Sequence, residues 1–286
     1  MVVRQPQGHP SPVPLSEQIG VADRLARVAQ RSISYGVHRS QTAELWRPDG
    51  VKGDLPVVVL IHGGFWRQIY TKHLMRRLAR AVVAHGWVAY NIEYRRVGPF
   101  GSGGWPETFQ DVAAAIEALG EVDRIDLQHI VTCGHSAGGH LALWAGTART
   151  TSASTPPATN AVRIAAAISL AGVVDLVEAA RLNLGAGAVQ ALMGGDPDRF
   201  PQRYAWGSPA ASLPLGIRQF LLHGVADSTV PASLSAGYVE RALSLGDEAE
   251  YVPLAGVGHM DMIDPHGVAF REVTARLDLI APPTSG

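Results

Sequence analysis

Short runs of apolar residues alternate with amphipathic stretches along most of this chain. The apolar runs lie at residues 55–61, 87–94, 130–133, 164–170, 219–223 and 249–254. The run at 55–61 is nearly continuous and rich in valine, which is typical of a strand buried on both faces of a sheet. The pattern therefore predicts a mostly parallel central sheet.

The stretches between these runs carry apolar residues at helical spacing. In one of them Leu74, Leu78 and Val82 recur every four residues, Thr71 stands where a cap is needed, and Gly86 ends the pattern. Further helices are predicted at residues 106–119, 141–148, 233–245 and 266–279. Repeated strand–helix units place helices on both faces of the sheet, which is the α/β fold class.

The N-terminal part of the chain departs from this rhythm. Residues 1–30 are expected to form an arm with a weak helix at 15–29, since the first part is proline-rich and poor in apolar residues. Residues 32–37 and 42–46 are β-prone and closely spaced, which predicts an antiparallel hairpin ahead of the parallel strands.

Two later regions also interrupt the alternation. Residues 147–160 are rich in Ser, Thr and Pro, which predicts an exposed loop. Residues 175–213 hold short helical pieces and turn signals, which predicts an insertion over one end of the sheet. The expected organisation is therefore a single domain at 31–286 with a cap-like insertion at about 175–213.

Composition and charge narrow the classes of function. The chain has 286 residues, 47% of them hydrophobic, and a net charge of −1, so nothing favours nucleic acid or an anionic membrane as a partner. No apolar run reaches the ~18 residues of a membrane span, and the N-terminus lacks the pattern of a signal peptide. We expect a cytoplasmic protein; the oligomeric state stays open.

A G-x-S-x-G pentapeptide follows the run at 130–133. The serine, Ser136, stands between Gly134 and Gly138, with a strand before it and a helix-forming segment after it. In this context the motif indicates a nucleophilic serine on a sharp turn, where larger side chains on either side would collide with the neighbouring elements. A capping serine in a glycine-rich turn is the structural alternative.

A second glycine-rich segment follows the first parallel strand. After His62 come Gly63 and Gly64, whose backbone N–H groups can point outward without an obstructing side chain. Together with the N–H of Ala137, they are candidate donors to the oxyanion of an acyl-transfer intermediate, an effect worth about 3–4 kcal/mol per donor.

An aspartate and a histidine follow the last two strands. Asp227 could simply cap the helix that follows Pro231, but His259 lies in the next strand-end loop, flanked by glycine. Since ligands bind at the carboxyl ends of parallel strands, both side chains are expected near Ser136. The chain order of serine, aspartate and histidine is that of a nucleophile, an orienting acid and a general base.

Metal and cofactor chemistry have weaker support in the sequence. The single cysteine, Cys133, excludes a thiolate cluster and is expected to be buried strand packing. The chain has no H-E-x-x-H metal motif and no phosphate-binding loop of the G-x-x-x-x-G-K-[ST] type. We therefore expect neither a metal nor a cofactor.

Taken together, these segments resemble the α/β-hydrolases, and within them the esterase and kynurenine formamidase-like branch. The resemblance covers about residues 55–279 and depends on His62-Gly63-Gly64-Phe65-Trp66, Glu93-Tyr94-Arg95, Gly134-His135-Ser136-Ala137-Gly138-Gly139-His140 and the loops of Asp227 and His259. It implies a cofactor-independent hydrolase of carboxylic esters or of small N-acyl groups.

The substrate is the least determined part of this expectation. Phe65, Trp66 and Trp206 are candidate substrate contacts, although aromatic residues after strands are equally common as core anchors. A small-molecule ester with a small acyl group is the favoured substrate, and an arylformamide such as N-formylkynurenine is the second. A third hypothesis is a non-catalytic ligand-binding protein of this fold, but no member of the triad is missing.

Overall fold

The computed structural model describes residues 28–147 and 162–281. Its centre is an eight-stranded sheet with the strand order β1-β2-β4-β3-β5-β6-β7-β8. The strands, in chain order, are Val28–Ser34 (β1), Thr42–Pro48 (β2), Leu55–Ile61 (β3), Val88–Ile92 (β4), Ile125–His135 (β5), Ile164–Leu170 (β6), Arg218–Gly224 (β7) and Ala249–Leu254 (β8).

Helices connect most of the strands. They are Arg76–Ala84 (α1), Glu107–Glu117 (α2), Ala137–Ala145 (α3), Leu176–Arg181 (α4), Ala188–Met193 (α5), Pro201–Gly207 (α6), Ala232–Ser244 (α7) and Val268–Ile280 (α8). Short 3-10 turns complete the connections and include Lys72–Met75 before α1 and Met260–Ile263 before α8.

The sheet is antiparallel at one edge and parallel elsewhere. Strands β1 and β2 form an antiparallel hairpin, and β2 also runs antiparallel to β4. From β4 to β8 every neighbouring pair is parallel. The predicted α/β-hydrolase fold class, with its mostly parallel sheet and helices on both faces, is therefore confirmed.

Strand β3 shows how the sheet divides the core into two layers. Val57, Val59 and Ile61 pack into one hydrophobic cluster, which also contains residues of α2 and α3. Val58 and Leu60 face the opposite way, into a second cluster with residues of α1 and α8. All five side chains are fully buried, so the continuous apolar run of the sequence follows from burial on both faces.

Some predicted details are wrong, and others concern residues outside the described ranges. Val28 and Ala29 belong to strand β1 and not to a helix, because they pair with Pro48 and Arg47 of β2. Thr71 stands at a helix N-terminus but makes no side-chain capping bond, since a 3-10 turn opens the helix. The remainder of the predicted arm, and the predicted loop from residue 148 onward, lie outside the described residues.

Residues 175–213 form short helices that contact segments following several sheet strands. Asp175 caps α4, accepting hydrogen bonds from the backbone N–H groups of Val177 and Glu178. The backbone N–H of Trp105 donates to the carbonyl of Leu192 at 2.7 Å. The first contact stabilises the segment itself, and the second joins it through backbone groups to the chain that follows β4.

Among the described residues, the helices are all too short or too polar to cross a lipid bilayer.

Candidate active site

Ser136 occupies the sharp turn between β5 and α3. Its backbone angles are φ 56° and ψ −119°, a region that costs a non-glycine residue about 1–3 kcal/mol. A Cβ atom at Gly134 would overlap the carbonyl of Gly138, and one at Gly138 would overlap the carbonyl of Ile61. The two glycines therefore let β3, β5 and α3 meet closely enough to hold Ser136 in this conformation.

Asp227 and His259 are brought together by the loops after β7 and β8. The Nδ1 atom of His259 lies 2.7 Å from Oδ2 of Asp227. The other carboxylate oxygen, Oδ1, accepts hydrogen bonds from the backbone N–H groups of Thr229 at 2.7 Å and Val230 at 2.9 Å. One oxygen thus closes the aspartate's own turn while the other orients the imidazole.

The capping role that the sequence also allowed for Asp227 is only partly realised. Helix α7 has Pro231 at its N-cap position and no side-chain capping bond. Asp227 therefore stabilises the turn before the helix and not the first turn of the helix itself. Its side chain is completely buried, whereas that of His259 is 11% exposed, so the imidazole is the member of the pair that solvent or a substrate can reach.

The surroundings of Asp227 favour its ionised form. Burial by itself raises the pKa of this carboxyl, but hydrogen bonds from His223, His259 and the amides of Val230 and Thr229 hold it well below its usual range. An ionised carboxylate accepts from the ring N–H of His259 and stabilises a positive charge on that ring.

His135 connects the Ser136 turn to the His259 loop. Its Nε2 atom lies 2.9 Å from the backbone carbonyl of His259, and the two rings are 4.6 Å apart between centroids. Burial lowers the pKa of His135 to about 3, so its ring is neutral and donates this hydrogen bond from Nε2. The residue before the serine therefore positions the backbone of the histidine loop.

The loop that carries the predicted backbone donors, residues 62–66 and called the donor loop below, passes directly beside Ser136. A Cβ atom at Gly63 would lie 3.1 Å from Cβ of Ser136 and 2.7 Å from the carbonyl oxygen of His135. Gly64 has φ 109°, and a Cβ atom there would overlap the ring of Tyr70. Ala137 opens helix α3, so the three candidate backbone donors lie on the two chain segments that meet at Ser136.

A buried ionic network supports the base of this loop. His62 places Nε2 2.8 Å from Oε1 of Glu93 and Nδ1 2.8 Å from the carbonyl oxygen of Gly63. The hydroxyl of Tyr94 donates to the carbonyl of His62 at 2.9 Å, and Arg96 pairs with Glu93 at 2.9 Å. In the sequence, Glu93 and Tyr94 were known only through the family resemblance, because no local pattern connects them to His62.

The three aromatic residues predicted as substrate contacts are not grouped on one surface. Trp66 is fully buried and meets His140 edge-on, with 5.3 Å between ring centroids. Trp206, in α6, is partly buried and packs against Trp105 at 4.4 Å. Phe65, in the donor loop, is partly buried. Their role in substrate binding stays a prediction.

Neither metal ligation nor thiol chemistry has a site in the described ranges. Residues 28–147 and 162–281 contain no group of three or more His, Cys, Asp or Glu side chains placed to hold a metal ion. Cys133 is buried, and burial raises the pKa of its thiol to about 12. A thiolate nucleophile at this position is therefore disfavoured.

The fold and the arrangement around Ser136 define this protein as an α/β-hydrolase. More particularly, the chain belongs to the BD-FAE family, whose model matches residues 43–241. The predicted resemblance to the esterase and formamidase-like branch is thus confirmed.

Two curated relatives represent this branch. The chain is 29% identical over 257 residues to Esterase LipC of Mycobacterium tuberculosis, covering 83% of this chain and 61% of the relative. It is 29% identical over 112 residues to a kynurenine formamidase of Danio rerio, covering 38% of this chain and 36% of the relative. The chain therefore spans less than two thirds of the length of either relative.

The fold is shared with solved esterase structures. One is titled a truncated form of a carbohydrate esterase from gut microbiota. It superimposes with a TM-score of 0.78 over 90% of this chain and 97% of that chain, at 21% identity. At this level of identity the likeness shows the fold and leaves the substrate open.

Proposed function

We propose that this protein is a serine hydrolase that cleaves carboxylic esters of small acyl groups. The observation that carries the proposal is the Asp227–His259 pair, whose loop is fastened by His135 to the strained turn of Ser136. In a serine hydrolase the serine hydroxyl is deprotonated by an imidazole that a carboxylate orients, which is the role proposed for this pair.

The proposed reaction proceeds through an acyl-enzyme. Oγ of Ser136 attacks the ester carbonyl while His259 takes the hydroxyl proton, and collapse of the intermediate breaks the bond to the alcohol, which receives that proton. Water then attacks the acyl-enzyme while His259 takes a proton from it. His259 returns that proton to Oγ of Ser136 as the acyl–oxygen bond breaks, which releases the carboxylic acid and the free serine. Asp227 holds His259 in the tautomer that leaves Nε2 free to accept.

The negative oxygen of each tetrahedral intermediate needs hydrogen-bond donors. The N–H groups of Gly63, Gly64 and Ala137 are the candidates, since the segments that carry them meet beside Ser136. Donors of this kind act at the moment when charge develops, and the loss of one typically lowers kcat by a factor of ~10²–10³.

Burial around Ser136 supports a small acyl group. The serine is 2% exposed, and Phe65 of the donor loop packs against Gly185 of the 175–213 segment. This segment thus acts as a cap whose packing limits the space beside the nucleophile. The proposed organisation of the described chain is accordingly one hydrolase domain with a short cap.

A fluorophosphonate probe tests the proposal directly, because it reacts with an activated serine. The wild type is expected to be labelled, and Ser136→Ala is expected to be unlabelled. Ser169→Ala is the matched control, since Ser169 is also a buried serine but lies on the neighbouring strand β6; this variant should label like the wild type. A folded wild type that resists labelling would exclude the serine hydrolase.

Arylformamide hydrolysis is the second candidate function. The partial similarity to a formamidase of Danio rerio favours it, and the same nucleophile and base would serve for an amide. The two substrates are distinguished by kcat/KM for a short p-nitrophenyl ester and for N-formylkynurenine. A preference of tenfold or more for the formamide, about 1.4 kcal/mol of transition-state binding, would reverse the ranking.

A further inference from the structure

A second buried histidine contacts the carboxylate that orients His259. His223, near the end of β7, places its Nε2 atom 3.3 Å from Oδ2 of Asp227 and 3.0 Å from the backbone carbonyl of Val230. The same carboxylate oxygen, Oδ2, is the one that lies 2.7 Å from Nδ1 of His259. Two imidazole rings therefore converge on one oxygen atom.

The other nitrogen of His223 is also occupied. Its Nδ1 atom lies 2.8 Å from Oγ of Ser235, in helix α7. Both groups facing Nε2 are acceptors, so Nε2 carries the hydrogen, and in the neutral ring Nδ1 accepts the hydroxyl hydrogen of Ser235. The contacts thus define one tautomer and one direction of donation, from Ser235 to His223 and from His223 to Asp227.

Burial makes this contact electrostatically important. The side chains of His223 and Asp227 are both fully buried, and Ser235 is fully buried as well. The other titratable groups facing this pair are His259, and behind it His135, whose neutral ring contacts the His259 backbone. Where water is excluded, a donor to a carboxylate oxygen changes the charge that this oxygen presents to its other partner.

We propose that His223 is a positioning residue that fixes the orientation of Asp227 and moderates the charge that Asp227 presents to His259. The inference deepens the proposed hydrolase function and depends on it. By sharing Oδ2, His223 weakens the hold of the carboxylate on a protonated His259, so that the base releases its proton at a lower pH than it would beside an unshared aspartate.

Replacement of His223 by phenylalanine removes the donor and keeps a ring of similar size. In His223→Phe the carboxylate stabilises the protonated base more strongly, so the acid limb of the pH profile of kcat/KM moves upward by about half a pH unit. Loss of the orienting contact also lowers kcat, roughly tenfold, while KM changes less than twofold. Glutamine at this position retains an N–H donor, so the acid limb of His223→Gln is expected at the same pH as that of the wild type.

Tyr238→Phe provides the matched control. Tyr238 is buried in the same helix as Ser235 and donates to Oε1 of Gln219 at 2.6 Å. Its removal takes away a buried hydrogen bond that does not reach Asp227. This variant should lose stability but keep the acid limb of the wild type. An equal shift of the acid limb in Tyr238→Phe would show that a general loss of stability causes the shift, and it would overturn the proposal.

The tautomer of His223 gives a readout in the wild-type protein that does not depend on a variant folding. Imidazole ¹⁵N chemical shifts should show hydrogen on Nε2 and none on Nδ1; the opposite tautomer overturns the proposal. If the wild type hydrolyses esters but the acid limb of His223→Phe does not move, this inference is excluded and the proposed function is not. A wild type without hydrolysis or fluorophosphonate labelling excludes the proposed function and this inference with it.

Discussion

At the scale of single residues, some contacts of the candidate site were predictable from the sequence and others are seen only in the structure. The closeness of Asp227 to His259, and of the His259 loop to the turn of Ser136, was predictable, because each residue follows a strand and strand ends of a parallel sheet meet at one edge. The contacts of His135 and His223 were not, since they join residues far apart in the sequence or depend on how a ring is turned. The sequence carried one sign of the His223 contact: this histidine stands four positions before Asp227, at the end of a buried strand.

Asp227→Asn tests the orienting role of the carboxylate. An amide can still accept from the turn with its oxygen, but its NH₂ group favours the wrong tautomer of His259. We expect kcat to fall by a factor of about 10³–10⁴ with little change in KM. Steady-state kinetics and the far-ultraviolet circular dichroism of the variant check this; a fall of less than tenfold in a folded variant would remove Asp227 from the triad.

Asp227 also makes stability depend on pH. Its pKa in the folded state lies well below the usual range, so its contribution to stability is complete above the unfolded value of about 3.9 and is lost as the pH falls below it. The difference in free energy of unfolding between the wild type and Asp227→Asn should therefore shrink between about pH 6 and about pH 3. Urea denaturation at both values measures it, and a constant difference would contradict the stated environment of the carboxylate.

At the scale of elements, burial explains part of what the sequence predicted correctly. Strands β3, β6 and β8 have the bounds that the apolar runs predicted. Strands β3 and β6 lie in the interior of the sheet, where burial defines them, whereas β8 is an edge strand and is only partly buried. Helix α3 instead begins at Ala137, before the predicted start at residue 141. Gly138 and Gly139 have low helix propensity, but close packing against neighbouring backbone requires them there.

The proposed cap is fastened to the donor loop by Arg67. Its guanidinium donates to the backbone carbonyls of Gly185 and Ala186. Arg67→Ala is expected to raise KM by about two- to tenfold, the equivalent of one hydrogen bond, and to leave kcat within twofold. The control is Arg77→Ala, because the side chain of Arg77 is 73% exposed and lies 3.9 Å from Asp264. A fall in kcat without a change in KM would show that Arg67 takes part in the chemical step and not in holding the proposed cap.

At the scale of the whole molecule, the candidate site residues follow strands at one end of the sheet. The turn of Ser136, the donor loop and the loops of Asp227 and His259 follow β5, β3, β7 and β8, and the 175–213 segment packs against the donor loop. The sequence predicted that these loops lie at one end of the sheet, but not how residues 175–213 pack against the donor loop. Trp66 is another example of packing that the sequence did not predict: it was predicted as a substrate contact, but it lies in the hydrophobic core.

The enclosed nucleophile predicts a steep dependence on acyl length. Ser136 is 2% exposed, so p-nitrophenyl acetate and butyrate should be hydrolysed with a kcat/KM at least roughly tenfold higher than the octanoate, a difference of about 1.4 kcal/mol. Initial rates at equal ester concentrations below KM measure this ratio. A rate that rises with chain length would show that the cap opens a long acyl channel.

The central claim is that Ser136 receives the acyl group. Intact-mass spectrometry of the protein, quenched in acid during turnover of a short aryl ester, measures this most directly. The wild type is expected to gain the mass of one acyl group, which peptide mapping should assign to Ser136. Turnover with no acylated protein, or an acyl group on another residue, would contradict it.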